Sequence, residues 1–88
     1  MDDHILAIYG VCHDFLKVLH HQEDRQHKMT DAEVMTTALV AMLFFGGNFE
    51  HARALLGTGH DIPTMLSRRR LNRRLYRLQH LFATLFDL

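Results

Sequence analysis

The chain has 88 residues, 48% of them hydrophobic and 23% charged, with a formal net charge of zero. That composition suits one small globular domain and argues against a disordered chain. A single cysteine, Cys12, excludes an internal disulfide, and the longest apolar run, Ala38 to Phe45, is far short of the roughly 20 residues needed to span a bilayer.

The zero net charge hides an asymmetry. Residues 1–50 carry Lys17, Arg25 and Lys28 against eight acids, a balance of −5, whereas residues 51–88 carry seven arginines against Asp61 and Asp87, a balance of +5. The opening Met1-Asp-Asp-His is acidic, unlike a signal peptide. With the lone cysteine this points to a reducing, cytoplasmic setting.

Four helices and no strand are expected, giving an all-α fold. The first runs from about Asp3 to His20, with Ile5, Ile8, Tyr9, Cys12, Leu16 and Leu19 at helical spacing and Asp2 or Asp3 at its start. Cys12 falls in this apolar pattern and reads as a small buried residue. A polar segment, Gln22 to Met29, follows. Thr30-Asp-Ala-Glu33 then matches a capping box, in which the Thr30 hydroxyl and the Glu33 carboxylate each bond the other residue's amide. The second helix continues through Val34, Met35, Ala38, Leu39 and Met42 to Phe45, and its apolar character places it at the centre of the bundle. Gly46-Gly47 stops it. Asn48 can cap a short third helix, Phe49 to Leu56, ended by Gly57, and residues 57–63 form a loop. Ser67 caps the fourth helix, which runs towards Phe86. Met29, Met35, Met42 and Met65 read as core or gap-filling residues.

The fourth helix carries the chemistry. Six of the ten Lys and Arg residues lie between Ser67 and Leu78, and no acid lies between Asp61 and Asp87. At 100° per residue, Arg70, Arg73, Arg74 and Arg77 share an arc of about 100°, with the stripe Leu71, Leu75, Leu78, Phe82 and Leu85 on the adjacent arc. Three like-charged i,i+4 pairs, 69–73, 70–74 and 73–77, each cost about 0.2–0.5 kcal/mol. Arg68, Arg69 and Arg70 also lie in the first turn, where the helix dipole disfavours cations. Phosphate relieves both penalties, because arginine and a helix N-terminus both bind it. Arg70, Arg73, Arg74 and Arg77 are therefore the candidate phosphate contacts. Arg68, Arg69 and Asn72 are the candidates for base edges, beside the capping Ser67. A helix entered from a loop with Arg and Asn near its start has the layout of a helix-turn-helix reader, although the loop is longer than the usual tight turn. The other readings of this face are a solvated surface or one docked on the acidic first half.

No catalytic or metal constellation accompanies it. His20, His21, Asp24 and His27 imitate a metal cluster, but they fall in a loop-like segment where nothing fixes their geometry. The acids read as helix caps (Asp2, Asp3, Asp31, Glu33) or loop residues (Glu23, Asp24, Asp61). There is no nucleophile motif, glycine-rich phosphate loop or zinc spacing. No cofactor is expected.

Two blocks carry a family resemblance. Asp31-Ala-Glu-Val-Met-Thr-Thr-Ala-Leu-Val-Ala-Met-Leu-Phe-Phe-Gly-Gly-Asn48 with Phe49-Glu-His-Ala-Arg-Ala-Leu-Leu56, then Ile62-Pro-Thr-Met-Leu-Ser-Arg-Arg-Arg-Leu-Asn-Arg-Arg-Leu75, resemble the N-terminal region of bacterial insertion-sequence transposases of the DDE class. The resemblance runs from the first helix to Leu88. It implies a helical region that helps bind the ends of a mobile element, ahead of an RNase H-like domain that cuts and joins DNA with two metal ions held by three acids. The sequence ends before such a domain would begin, so none of its acids matches the catalytic three. What carries over is DNA contact on Ser67 to Arg77. The expectation is the N-terminal part of a transposase, truncated and inactive by itself. The alternatives are a non-functional remnant and a protein-interaction module. In the latter, Leu71, Leu75, Leu78, Phe82 and Leu85, with the apolar end of the chain, would form a homodimer or dock a missing catalytic domain.

Overall fold

Thr30 starts the helix on which the other three pack. Its Oγ1 accepts from the Glu33 amide at 3.2 Å, and the Glu33 carboxylate accepts from the Thr30 amide at 2.8 Å, so the capping box closes in both directions. In the computed structural model, which describes residues 3–19, 21, 28–58, 61, 62 and 64–86, the chain forms α1 (Asp3–Val18), α2 (Asp31–Phe44), α3 (Phe49–Thr58) and α4 (Arg68–Phe86). The fold is all-α, and the described residues contain no strand.

Every residue of α2 from Asp31 to Ala41 except Glu33 is buried, so it is enclosed on all sides. Such a helix must sit at the middle of a bundle, and α1, α3 and α4 each pack on it. Thr36 and Thr37 are tolerated there because their hydroxyls donate back to the carbonyls of Ala32 and Glu33, at 2.7 and 2.9 Å. The core joins Ile5, Cys12, Phe15 and Leu16 of α1 with Val34, Met35 and Leu39 of α2, Leu56 of α3, and Leu71 and Leu78 of α4. Cys12 is fully buried, and burial pushes its thiol up, only partly offset by a hydrogen bond with Thr36.

The turns follow local chemistry. Gly46 and Gly47 take positive φ of 58° and 91°, a left-handed conformation that ends α2 without Cβ strain. The Asn48 carboxamide oxygen accepts from the His51 amide at 3.1 Å and so caps α3.

Several boundaries differ from the sequence expectation. α1 ends at Val18 and α2 at Phe44. Gly57 does not stop α3, which continues to Thr58. Gly57 instead permits a close approach, since a Cβ there would lie 3.2 Å from Met65 Cβ. The α3–α4 connection, residues 59–67, is longer than a tight helix-turn-helix link of 3–4 residues. The apolar end of α2 also differs. The run Ala38 to Phe45 is buried only as far as Ala41, while Met42, Leu43 and Phe44 are exposed. The expected first cap at Asp2 lies outside the described residues.

Leu71 is fully buried, and Leu75 is only partly so. Leu71→Ala is therefore expected to destabilise the domain by about 2–5 kcal/mol, and Leu75→Ala by clearly less. Urea denaturation of the two variants measures this, and equal losses would contradict the packing described.

Candidate nucleic-acid interface

The start of α4 is held by its neighbours rather than by a tight turn. Ser67 Oγ accepts from the Arg70 amide at 3.4 Å, a long cap. Arg53 of α3 donates from Nε to the Leu66 carbonyl at 3.1 Å and from Nη1 to both oxygens of Glu50 at 3.0 and 2.9 Å. Thr64 Oγ1 donates to the Lys28 carbonyl at 3.0 Å, which ties the segment before α4 to the segment before α2. Lys28, Thr64, Met65, Leu66, Ser67 and Arg70 line an open cleft of about 550 Å³ at the start of α4. Lys28 thereby joins Arg70 at one surface, although 42 positions separate them in the sequence.

The apolar arc of α4 is used inside the chain. Leu71, Leu78 and Leu81 are buried, and Leu75, Phe82 and Leu85 are partly buried against the same core. The leucines proposed as a partner surface thus pack mainly within the domain. Exposed apolar side chains lie elsewhere, with Leu6, Val11, Val18 and Leu19 on and just after α1, Met42, Leu43 and Phe44 at the end of α2, and Leu55 on α3.

The eight residues singled out from the sequence do not stay together. Ser67, Arg68, Arg69, Arg70, Asn72, Arg73 and Arg77 are exposed. Arg74 is not. Its Nη2 donates to Asp31 Oδ1 at 2.6 Å, with the two side chains only 10% and 8% exposed. The expectation that Arg74 faces outward with Arg70, Arg73 and Arg77 is corrected by this contact. A guanidinium that completes a buried ion pair is committed to the interior.

Arg68 approaches Glu50 Oε1 at 3.7 Å while 69% exposed, a surface contact worth little. Among the described residues, no carboxylate pairs with Arg69, Arg70, Arg73 or Arg77. At 100° per residue these four occupy one arc of about 100° and extend for about 12 Å along the helix. That is a band of cations about as long as a DNA major groove is wide, roughly 12 Å. Asn72 stands on the far side of the row, nearer Arg68, so candidate base-edge and phosphate contacts take adjoining faces of the helix.

The Asp31 carboxylate has a second partner, His21, whose Nε2 lies 2.6 Å from Oδ2. An ionised carboxylate only accepts, so Nε2 carries the hydrogen. Burial alone would raise the Asp31 pKa. Hydrogen bonds from Arg74 and His21, together with their charges, outweigh that and hold it below the ordinary carboxylate value. Contrary to the expectation that Asp31 is a helix cap, Thr30 is the cap and Asp31 joins three parts of the chain. His20, Asp24 and His27 of the expected metal-like cluster lie outside the described residues. No group of three or more His, Cys, Asp or Glu able to hold a metal occurs among the described residues. None of the described helices is long and apolar enough to cross a membrane.

Compared with protein-family models, curated proteins and solved structures, the chain matches none.

Two consequences for stability follow. Arg74→Ala removes the guanidinium from a buried carboxylate and is expected to cost about 3–5 kcal/mol, whereas Arg73→Ala on the exposed face stays within about 0.5 kcal/mol. Because the Asp31 pKa is depressed in the folded state, its contribution is fully present above the unfolded value of about 3.9 and is lost as pH falls through the lower folded value. Acid titration followed by circular dichroism should show this stability loss below about pH 4, and a protein whose stability is flat there would contradict the assignment.

Proposed function

We propose that this chain is a DNA-binding helical module of an insertion-sequence transposase and that it binds mobile-element ends through the outer face of α4. The observation that supports this most is the row Arg69, Arg70, Arg73 and Arg77, exposed and without a carboxylate partner among the described residues. The two sequence blocks that resemble the N-terminal region of such transposases support the same reading.

In this reading Arg70, Arg73 and Arg77 contact phosphates, with Arg69 at the flank of the row. Arginine suits this work because its planar fork offers paired donors to phosphate oxygens and keeps its charge at any working pH. Arg68, Arg69 and Asn72 approach base edges, where arginine matches guanine and asparagine matches adenine. Ser67 and the free amides of the first turn add neutral donors to the backbone contact. Arg74 serves the reading from inside by anchoring the helix. No catalytic step is assigned to these residues.

Duplex binding measured across a salt series tests the proposal. Three phosphate contacts predict a log–log slope of about −2.7, and changing Arg73 and Arg77 together to Ala should flatten it to about −0.9. Binding that ignores salt, or a double variant with the parent slope, rules the reading out. Asn72→Ala should alter preference among sequences by about 1–3 kcal/mol without changing the slope.

A further inference from the structure

Arg74 belongs to the same helix as the exposed row, and it lies close to that row in angle. At 100° per residue it stands about 40° from Arg70 and about 60° from Arg77 around α4. The apolar arc holds α4 to the core through Leu71, Leu78 and Leu81, while Leu75, Phe82 and Leu85 are only partly buried, so apolar packing by itself constrains this angle less tightly than a hydrogen-bonded ion pair does. A modest rotation of α4 would bring Arg74 out and change which arginines present together.

The Asp31 carboxylate opposes that rotation. Withdrawing Arg74 would take the guanidinium from an ionised group only 8% exposed. Asp31 is itself fixed at the first residue of α2, beside the closed Thr30–Glu33 capping box. From the other side His21 holds Oδ2, and the His21 amide donates to the Leu16 carbonyl at 3.0 Å, which fastens it to the end of α1. Three segments thus meet at a single carboxylate, and one of them carries the candidate interface.

We infer that Asp31 is the positioning residue of the basic helix, setting its rotation through Arg74, and that His21 in turn orients Asp31. The inference rests on the DNA-binding reading and adds to it the groups that hold the exposed row in register. Asp31, Arg74 and His21 touch no nucleic acid on this view. Their effect on affinity is transmitted through the setting of α4.

The test compares affinity for a mixed-sequence duplex with thermal melting, on the whole chain. In the double variant Asp31→Asn with Arg74→Met, two uncharged groups of similar volume replace the buried pair, so neither partner is left as a lone buried charge. It should melt near the parent and bind the duplex about tenfold more weakly, because the phosphate contacts lose their common register. His21→Ala removes one of the carboxylate's donors without stranding a charge and should weaken binding by a smaller factor. His21→Gln, whose amide can donate to Oδ2, should restore it.

Parent affinity in the folded double variant, or in His21→Ala, overturns the inference and leaves the three groups as a stability device. Should the double variant fail to fold, His21→Ala and its Gln rescue decide alone, and unfolding of His21→Ala also counts against a positioning role. Failure of the DNA-binding reading shows differently. The unaltered protein then fails to bind the duplex or binds without salt dependence, and this inference falls with it.

Discussion

The first residue of α2 carries a charge that could not remain there alone. Asp31 sits at the mouth of a helix buried along nearly its whole length, and taking a lone carboxylate out of water costs several kcal/mol. Its position relieves part of that cost, because an acid in the first turn is favoured by the helix dipole. The rest is offset by Arg74 and His21, both within 2.6 Å. The pair need not add net stability over an apolar substitute. Its consequence is geometric, since a buried carboxylate accepts only a few arrangements of its donors, whereas leucine packing accepts many.

This constraint divides the seven arginines of the second half according to where acids can reach them. Asp31 takes Arg74 into the interior, and Glu50 takes Arg53 closely and Arg68 loosely. The four arginines without a carboxylate partner among the described residues retain two like-charged i,i+4 pairs, 69–73 and 73–77, since Arg74 has left the 70–74 pair for an anion of its own. At about 0.2–0.5 kcal/mol for each pair, the residual repulsion is below about 1 kcal/mol, and a folded domain tolerates it easily. Repulsion by itself is therefore too small to demand a ligand. The stronger argument is the alignment of four guanidinium groups on a helix whose opposite arc is fixed to a core.

Much of the fold was legible because the signals were local. Thr30 with Glu33, the Gly46-Gly47 pair and Asn48 each act within four residues, and each does in the structure what its side chain or φ preference dictates. The leucine stripe of α4 was legible for a related reason, since helical periodicity fixes neighbours on one helix without reference to the rest of the chain. Reading failed where a distant partner decided the outcome. Arg74 lies at the edge of the apolar arc, and its inward side was chosen by Asp31, 43 positions earlier. Gly57 looked like a stop but serves a close contact with Met65. The last turn of α2 is as apolar as the turns before it, yet Met42, Leu43 and Phe44 are exposed. Lys28 comes to the start of α4 only through the path of the loops, and no local pattern encodes that approach.

Because α4 supplies both core and outer surface, its two faces are not independent. Leu71 and Leu78 fix how far the helix stands from α2, while Arg74 fixes its angle. Arg69, Arg70, Arg73 and Arg77 inherit both settings. A row of point charges is sensitive to angle in a way that apolar packing is not. Moving a guanidinium by a few ångströms leaves the buried area almost unchanged but can break a hydrogen bond to a phosphate oxygen, whose useful range is only about 2.7–3.2 Å. Asp31, Arg74 and the partly buried His21 therefore lie where the fold's tolerance is greatest and the tolerance of the candidate interface is least.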